Sequence, residues 1–329
     1  MEKGISRTKL GKKFIYKNAS GKVIKQKSLV DQLNKLRIPP AWQNVWISPN
    51  RNAKLQATGF DARKRKQYIY HPKFRQKQED FKFSNITKFA KVLPRIRKAV
   101  NKDLNRTNLD LRKVTAAIVA LIDETLIRVG NDQYAKENKS YGLTTLKDKH
   151  VKFRKDSIEF SFLGKSKQEH SITIKSKKLS VIVKKCRDLA GDELFQYLDP
   201  EGKIHDIKSN HVNSYLKEIS GNSFTAKDFR TWTGTVLAAM ALSEFKKFDT
   251  KALAKTYVKK AIESVAKKLG NTPAICRKCY IHPEIIDTYL KSGSLTLLKD
   301  KVEQSLKGNL KGFSAFEGVV LAFLQKSLK

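Results

Sequence analysis

Over the first 84 residues, apolar positions come in short runs broken by turn residues. Phe14-Ile-Tyr16 and Val23-Ile24 flank Asn18-Ala-Ser-Gly21, which predicts a hairpin. Leu29 to Leu36 reads as a short helix stopped by Pro39-Pro40. Val45-Trp-Ile47, Leu55-Gln-Ala-Thr58 and Gln67-Tyr-Ile-Tyr-His71 read as strands of a small twisted antiparallel sheet. From Phe89 the period becomes helical, over Phe89–Leu104 and then Arg112–Val129. In the second segment Val114, Ala117, Ile118, Leu121, Ile122, Thr125, Leu126 and Val129 form one stripe, with Gly130 as the expected C-cap.

Residues 150–175 return to strands. Ile158, Phe160 and Phe162 alternate with polar neighbours, Gly164-Lys-Ser-Lys167 turns, and Ser171-Ile-Thr-Ile174 continues. Helices are then expected at Leu179–Leu189, His211–Ile219, Arg230–Phe245 and Lys251–Leu269. Gly270-Asn271-Thr272-Pro273 is a stop and a restart: Gly ends one helix, Thr caps the next, and Pro takes its first position. That next helix is expected from Pro273 to Ile281, with Arg277, Lys278 and Tyr280 on it, and further helix to Lys329. The fold class expected is α+β: a small N-terminal antiparallel β domain over residues 1–84, and a mainly helical domain with a small β insertion over 85–329. The boundary is placed in the polar stretch Gln76–Asn85. No internal repeat or low-complexity segment is evident.

Charge narrows the partners. The chain has 329 residues, with 68 Lys+Arg against 31 Asp+Glu, a net +37. Such a field favours a polyanion: nucleic acid first, an anionic membrane surface second. No run approaches the ~18 apolar residues of a membrane span. The opening MEKGISRTKL has no apolar signal core, so a cytosolic or nuclear location is expected. Cys186, Cys276 and Cys279 cannot form a disulfide framework.

Two familiar motifs fail. Gly164-Lys165-Ser166 resembles the end of a P-loop, but the glycine that should stand five residues earlier is Glu159, so no nucleotide is expected. Cys276-Arg-Lys-Cys279 with His282 lacks the four ligands that zinc prefers, so no metal site is expected.

Four segments do combine. Arg128 lies in Leu126-Ile-Arg-Val-Gly-Asn131, read as the last turn of a helix; Lys165 sits on the turn between two strands. Arg230 lies in Lys227-Asp-Phe-Arg-Thr-Trp232, and Tyr280 ends the Leu269–Tyr280 segment. Singly, each reads as a helix cap, a solvated turn or packing. In this order they resemble the type IB DNA topoisomerases, specifically the compact poxvirus-like and bacterial-like enzymes. The resemblance extends to Ile38-Pro-Pro-Ala-Trp42, Trp46-Ile-Ser48, Gln67-Tyr-Ile-Tyr70, Tyr134-Ala-Lys-Glu-Asn138, Gly142-Leu-Thr-Thr-Leu146 and Phe162-Leu-Gly-Lys165.

The resemblance implies a tyrosine that attacks one DNA strand, forms a 3′-phosphotyrosyl bond and later returns it to the freed 5′-hydroxyl. By position, Tyr280 is the nucleophile, Arg128 and Arg230 hold the scissile phosphate, and Lys165 is the general acid. Lys227 assists proton transfer. Asn271 stands where poxvirus enzymes carry a histidine and bacterial-type members carry Asn. Gln67, Tyr68, Tyr70 and Tyr134 match DNA-contacting positions. Arg63, Lys64, Arg65 and Lys66 are expected on backbone phosphates, and Arg277 and Lys278 are expected either to favour the Tyr280 phenolate or to contact a backbone phosphate. The β domain is expected to close over the opposite face of the duplex.

The chemistry is sound from below. Two guanidiniums remain charged and offer paired donors to a phosphodiester. Free tyrosine has a pKa of about 10, so its phenolate needs cationic neighbours. The leaving alkoxide is basic, and a positioned acid contributes roughly 10²–10⁴-fold. The phosphotyrosyl ester conserves the bond, so the resemblance implies no ATP, no metal and no other cofactor. It implies double-stranded DNA as the partner and action as a monomer. The place of action is then a bacterial nucleoid, or a virion or viral factory. Two rivals remain: a tyrosine recombinase, disfavoured by Lys227 where HxxR is usual, and a non-enzymatic DNA-compacting protein. Tyr289 and Tyr257 are the alternative nucleophiles.

Overall fold

The computed structural model describes residues 3–11, 13–245, 248–292 and 314–327. The chain divides into two compact units, Met1–Ser84 and Asn85–Lys329. The first holds a five-stranded antiparallel sheet of β1 (Ile5–Leu10), β2 (Lys13–Lys17), β3 (Gln43–Ile47), β4 (Leu55–Phe60) and β5 (Lys66–Tyr70). Its spatial order is β2-β1-β3-β4-β5. The expected hairpin is displaced. Phe14–Tyr16 pairs back onto β1 (Arg7 opposite Tyr16), and Val23 makes only a single bridge to Lys17. The polar-looking stretch Ile5–Leu10 carries too few apolar residues to read as a strand.

Helix α1 (Lys27–Lys35) buries Leu33 against a core of Ile5, Tyr16, Ile38, Val45, Ile47 and Ala57. The Tyr16 hydroxyl donates to Asn34 Oδ1 at 2.8 Å, so the sheet and helix are also joined by a polar contact. Arg7 explains the Pro-Pro segment. Its guanidinium donates to the carbonyls of Ile38 and Pro39, each at 2.8 Å, and of Trp42 at 3.2 Å, tying the turn to β1.

Helix α2 runs from Pro72 to Leu104 and starts well before Phe89. Pro72 takes a first-turn position, and the His71 ring nitrogen Nδ1 accepts from the backbone N–H of Lys73 at 3.1 Å, which caps the helix. The polar stretch in which the boundary is placed is therefore helical, with Gln76, Lys77, Gln78 and Ser84 exposed on it.

The second unit gathers α3 (Leu111–Thr125), α4 (Asp132–Asn138), α5 (Lys177–Arg187), α6 (Ser209–Ser220), α7 (Ala226–Ser243), α8 (Lys251–Leu269), α9 (Pro273–Cys279), α10 (Pro283–Ser292) and α11 (Ala315–Ser327). Helix α3 is central: Val114 through Val119, Leu121 and Ile122 are buried, and it packs on α5, α6 and α7. The Asp110 carboxylate caps it by accepting from Lys113 N–H at 2.8 Å. The β insertion is a three-stranded antiparallel sheet, β6 (Val151–Arg154), β7 (Ser157–Leu163) and β8 (Glu169–Lys175). A short hairpin, β9 (Gln196–Leu198) with β10 (Ile204–Asp206), was not foreseen. The expected helix beyond Ser292 lies partly outside the described residues; α11 is its described portion.

Candidate active site

Three chain breaks build the site. The first is the end of α3. The helix stops at Thr125, where Leu126 turns left-handed at φ 61°. Arg128 is thus beyond the helix, and Gly130 is not its cap. The expected last-turn placement fails because the apolar stripe continues through Leu126 and Ile127 into the core, although the backbone is no longer helical. Gly142-Leu-Thr-Thr pins this segment. Leu143 N–H donates to Arg128 O at 2.9 Å, and Thr144 N–H donates to Val129 O at 2.7 Å.

That contact leaves no space for a side chain at 142. A Cβ there would lie 2.6 Å from Arg128 O and 2.6 Å from Gly130 Cα. All the opposing atoms are backbone, so G142A must push the Arg128 segment away. If Arg128 serves the reaction proposed below, the rate of strand cleavage falls by up to about 10²-fold, the cost of an ångström-scale misplacement. Single-turnover cleavage by G142A checks this; a wild-type rate would show that Arg128 is not held through Gly142.

The second break separates α8 from α9. Gly270 adopts φ +57° as the C-cap of α8, and Thr272 caps α9 with Pro273 in its first turn. Asn271 alone separates the two caps. The carbonyls that α8 leaves unpaired at its C-terminus are met by side chains. Leu269 O accepts from Arg230 Nη2 at 2.7 Å and from Asn271 Nδ2 at 3.3 Å. Gly270 O accepts from Arg128 Nη2 at 3.2 Å, and the same nitrogen donates to Asn271 Oδ1.

Arg230 is 4% exposed in the first turns of α7. Its Nη1 donates to Leu126 O, so one guanidinium joins the ends of α3 and α8. Its Nε–H is buried with no partner. The guanidinium carbon stands 5.1 Å from the centre of the Tyr280 ring.

The third break is at Tyr280 itself. Helix α9 ends at Cys279, and Tyr280 is its C-cap at φ −131°, ψ −6°. The tyrosine leaves the helix rather than riding on it, because His282-Pro283 starts α10 at once. Helix α7 receives it closely. A Cβ on Gly234 would sit 2.6 Å from Tyr280 O, and Thr235 Oγ1 donates to that oxygen at 3.4 Å.

Arg128, Arg230, Asn271 and Tyr280 therefore meet. Burial lowers the pKa of Arg128, and the positive charge of Arg230 lowers it further; Tyr280 and Cys276 partly oppose this. Among the described residues no carboxylate pairs with either arginine. Two uncompensated guanidiniums with a spare buried donor are suited to a phosphodiester anion.

Lys165 is exposed on the β7–β8 turn, where Ser166 and Lys167 have φ values of 63° and 58°. Lys227 is exposed in the first turn of α7. Neither donates a hydrogen bond to the arginines or to Tyr280. Arg277 and Lys278 are exposed in the last turn of α9, and Arg230 is the cation over the Tyr280 ring.

His170, on β8, was not anticipated, because no ligand or triad spacing marks it. Its ring fills the space that Gly164 and Gly270 leave open: added Cβ atoms would lie 2.6 Å and 2.9 Å from it. It also stacks on Phe162 at 4.9 Å. The turn bearing Lys165 and the loop bearing Asn271 thus share one imidazole. Burial, then Arg128 and Arg230, hold His170 below the ordinary histidine pKa. An imidazole NMR titration is expected to place His170 below about 6.5, and R128A to raise it. Titration at or above that value would contradict the proximity of the two guanidiniums.

Two of the thiols are quiet. Burial pushes Cys186 up to about 12 and Cys276 up to about 11. Among the described residues no His, Cys, Asp and Glu side chains gather to hold a metal ion, and no helix is long and apolar enough to cross a membrane.

In the first unit, Tyr68 and Tyr70 are exposed on one face of β5, stacked with ring centres 6.2 Å apart. Gln67 points to the other face and donates to Asp61 Oδ2 at 2.9 Å. Arg65 is not free either: it pairs with Asp61 at 2.7 Å, which holds that carboxyl at about 2. Arg63, Lys64 and Lys66 are exposed. Tyr134 is half-buried on α4, its N–H capped by Asn131 Oδ1 at 2.9 Å.

Residues 71–306 match the eukaryotic DNA topoisomerase I catalytic core, and residues 13–61 match the bacterial DNA topoisomerase IB N-terminal domain. The DNA topoisomerase 1B of Acanthamoeba polyphaga mimivirus is 36% identical over 293 residues, covering 87% of each chain. That of vaccinia virus is 26% identical over 239 residues, covering 71% of this chain and 72% of its own. The class is therefore that of the DNA topoisomerases, isomerases that act on DNA. Within it, the chain belongs to the type IB family.

Proposed function

We propose that this enzyme relaxes supercoiled duplex DNA by cutting and rejoining one strand through Tyr280. The observation that carries the reading is the meeting of Arg128, Arg230 and Asn271 at the face of one half-buried tyrosine. The Tyr280 phenolic oxygen attacks the scissile phosphorus and the P–O5′ bond breaks. The phenolic proton leaves to solvent, and the O5′ leaving group takes a proton from Lys165, with Lys227 assisting. The two guanidiniums hold the nonbridging oxygens, and the Arg230 Nε–H is available to them. Such preorganised donors usually supply the largest catalytic term. In reverse, the 5′-hydroxyl attacks the phosphotyrosyl ester and releases Tyr280. The ester conserves the bond, so no nucleotide is consumed.

The exposed Tyr68–Tyr70 pair and the lysines and arginines of the 61–66 turn support DNA contact by the first unit. Tyr134, Arg277 and Lys278 supply further contacts to the phosphate backbone.

The test is incubation with negatively supercoiled plasmid in EDTA without ATP, alongside a denaturant-stopped sample. Relaxation with protein attached to a 3′ DNA end is expected. Binding with neither relaxation nor adduct would overturn the reading.

A further inference from the structure

Helix α11 contributes no residue to the site and lies beyond residue 306, where the match to the catalytic core ends. Yet it carries a buried carboxylate bound from three directions. Glu317 is 7% exposed. Its Oε1 accepts from Trp232 Nε1 at 3.1 Å and from Arg97 Nη2 at 3.0 Å. Its Oε2 accepts from Arg97 Nη1 at 2.8 Å and from Ser314 N–H at 2.9 Å. Arg97 is also held by Asp123, at 2.7 Å through Nε and 3.0 Å through Nη2. Helices α2, α3, α7 and α11 are joined at this one point. Below it Val319, Val320, Phe323 and Leu324 are buried, so α11 is seated by packing as well.

The packing does not need the charge. A buried ion pair contributes little net stability against an apolar replacement; what it adds is direction. Direction matters for α7, because that helix works on two sides. Arg230 and Gly234, one turn apart, lie toward Tyr280. Thr235 Oγ1 accepts from His282 N–H at 3.0 Å and donates to Tyr280 O. Trp232 follows Arg230 by two residues, roughly 200° around the helix, and its indole N–H reaches Glu317. A rotation of α7 that loosened the indole bond would swing Arg230 and shift the seat of Tyr280.

We propose that Glu317 and Trp232 are positioning residues for strand cleavage: through this carboxylate, α11 fixes the rotation of α7 that presents Arg230 to Tyr280. The inference rests on the cleavage reaction proposed above.

The experiment uses full-length E317A, E317Q, W232F and W232F/E317A. Each is assayed for the single-turnover rate of adduct formation at saturating protein, for DNA binding and for thermal unfolding, at a temperature where every variant is folded. E317A and W232F are expected to slow adduct formation roughly ten- to a hundredfold with DNA affinity unchanged. The double variant should be no slower than the slower single one, since both remove the same link. E317Q keeps an acceptor for the indole while losing the charge facing Arg97. It should recover most of the rate yet melt lower than wild type, a separation that a purely structural role would not produce. Wild-type rates in W232F and E317A, or rates that follow melting temperature across all four variants, would overturn the proposal. If E317A does not fold, W232F and E317Q decide it alone. Absence of adduct with the unmutated protein would overturn the cleavage reading itself, independently of this link.

Discussion

Replacing Tyr280 by phenylalanine is expected to abolish both the covalent adduct and plasmid relaxation while DNA affinity stays at the wild-type level. The substitution removes one oxygen. The phenolic hydroxyl makes no hydrogen bond to the rest of the described chain, so nothing is left unpaired. The ring keeps its place against Arg230, and the backbone keeps its bonds from Tyr280 N–H to Cys276 O at 2.9 Å and from Thr235 to Tyr280 O. Folding and binding should therefore survive intact. Chemistry should not, because phenylalanine offers no atom to phosphorus. The measurement is a gel assay for adduct and relaxation beside a binding titration. Residual adduct in Y280F would move the nucleophile elsewhere, but the alternatives are poorly placed. Tyr289 is fully buried, and burial raises its pKa, opposing the phenolate. Tyr257 is stacked flat on Phe245 at 4.4 Å.

Surface charge, which dominates the composition, supplies affinity that falls with salt, about 0.9 in log–log slope per phosphate contacted. Arg230 is instead buried and Arg128 half-buried, and both donate to helix-end carbonyls. Their geometry is fixed before any phosphate arrives, which is the condition under which donors act on a transition state.

Much of this site was legible in the sequence, and the reasons differ by residue. Gly270-Asn271-Thr272-Pro273 announces two helix caps by local chemistry alone, and the structure has both. Strands β7 and β8 follow the alternation of their side chains, and β3, β4 and β5 follow the short runs bounded by turn residues. Arg128 was read as part of α3 because its neighbours Leu126 and Ile127 are as apolar as a helix stripe. What ends the helix is tertiary: Arg230 captures Leu126 O, and Leu143 captures Arg128 O. Neither partner is visible from the local sequence. His170 was passed over for the same reason: its importance lies in the two glycines it fills, one 6 residues before it and one 100 after. Helix α2 begins before the helical period becomes legible, because the apolar stripe is weak between Pro72 and Phe89. Glu317 gave no sequence signal at all; a lone glutamate in a hydrophobic helix acquires meaning only when Arg97 and Trp232 are seen around it.

Arg230 is the residue whose loss should cost most after Tyr280. In R230A the phosphate loses a donor, for which roughly 10²–10³-fold in rate is the ordinary loss. The carbonyls of Leu126 and Leu269 lose the guanidinium as well. Leu126 O is left without this donor, while Leu269 O keeps the longer bond from Asn271 Nδ2; a buried acceptor left unsatisfied costs about 1–3 kcal/mol, so the ends of α3 and α8 should loosen and carry Arg128 and Asn271 with them. The rate is therefore expected to fall further than removal of one donor alone would require, with a lower melting temperature. R230K separates the two effects. An ammonium keeps the charge but cannot reach two carbonyls with a planar fork, so stability should recover in part while the rate remains far below wild type. Electrostatics gives an independent readout. Arg230 is one of the charges that hold down both Arg128 and His170, so its removal should raise the His170 titration in R230A, and R230K should raise it less. An R230A protein that cleaves DNA at the wild-type rate would remove Arg230 from the phosphate site. One that cleaves slowly while His170 titrates as in wild type would show the loss to be structural rather than electrostatic.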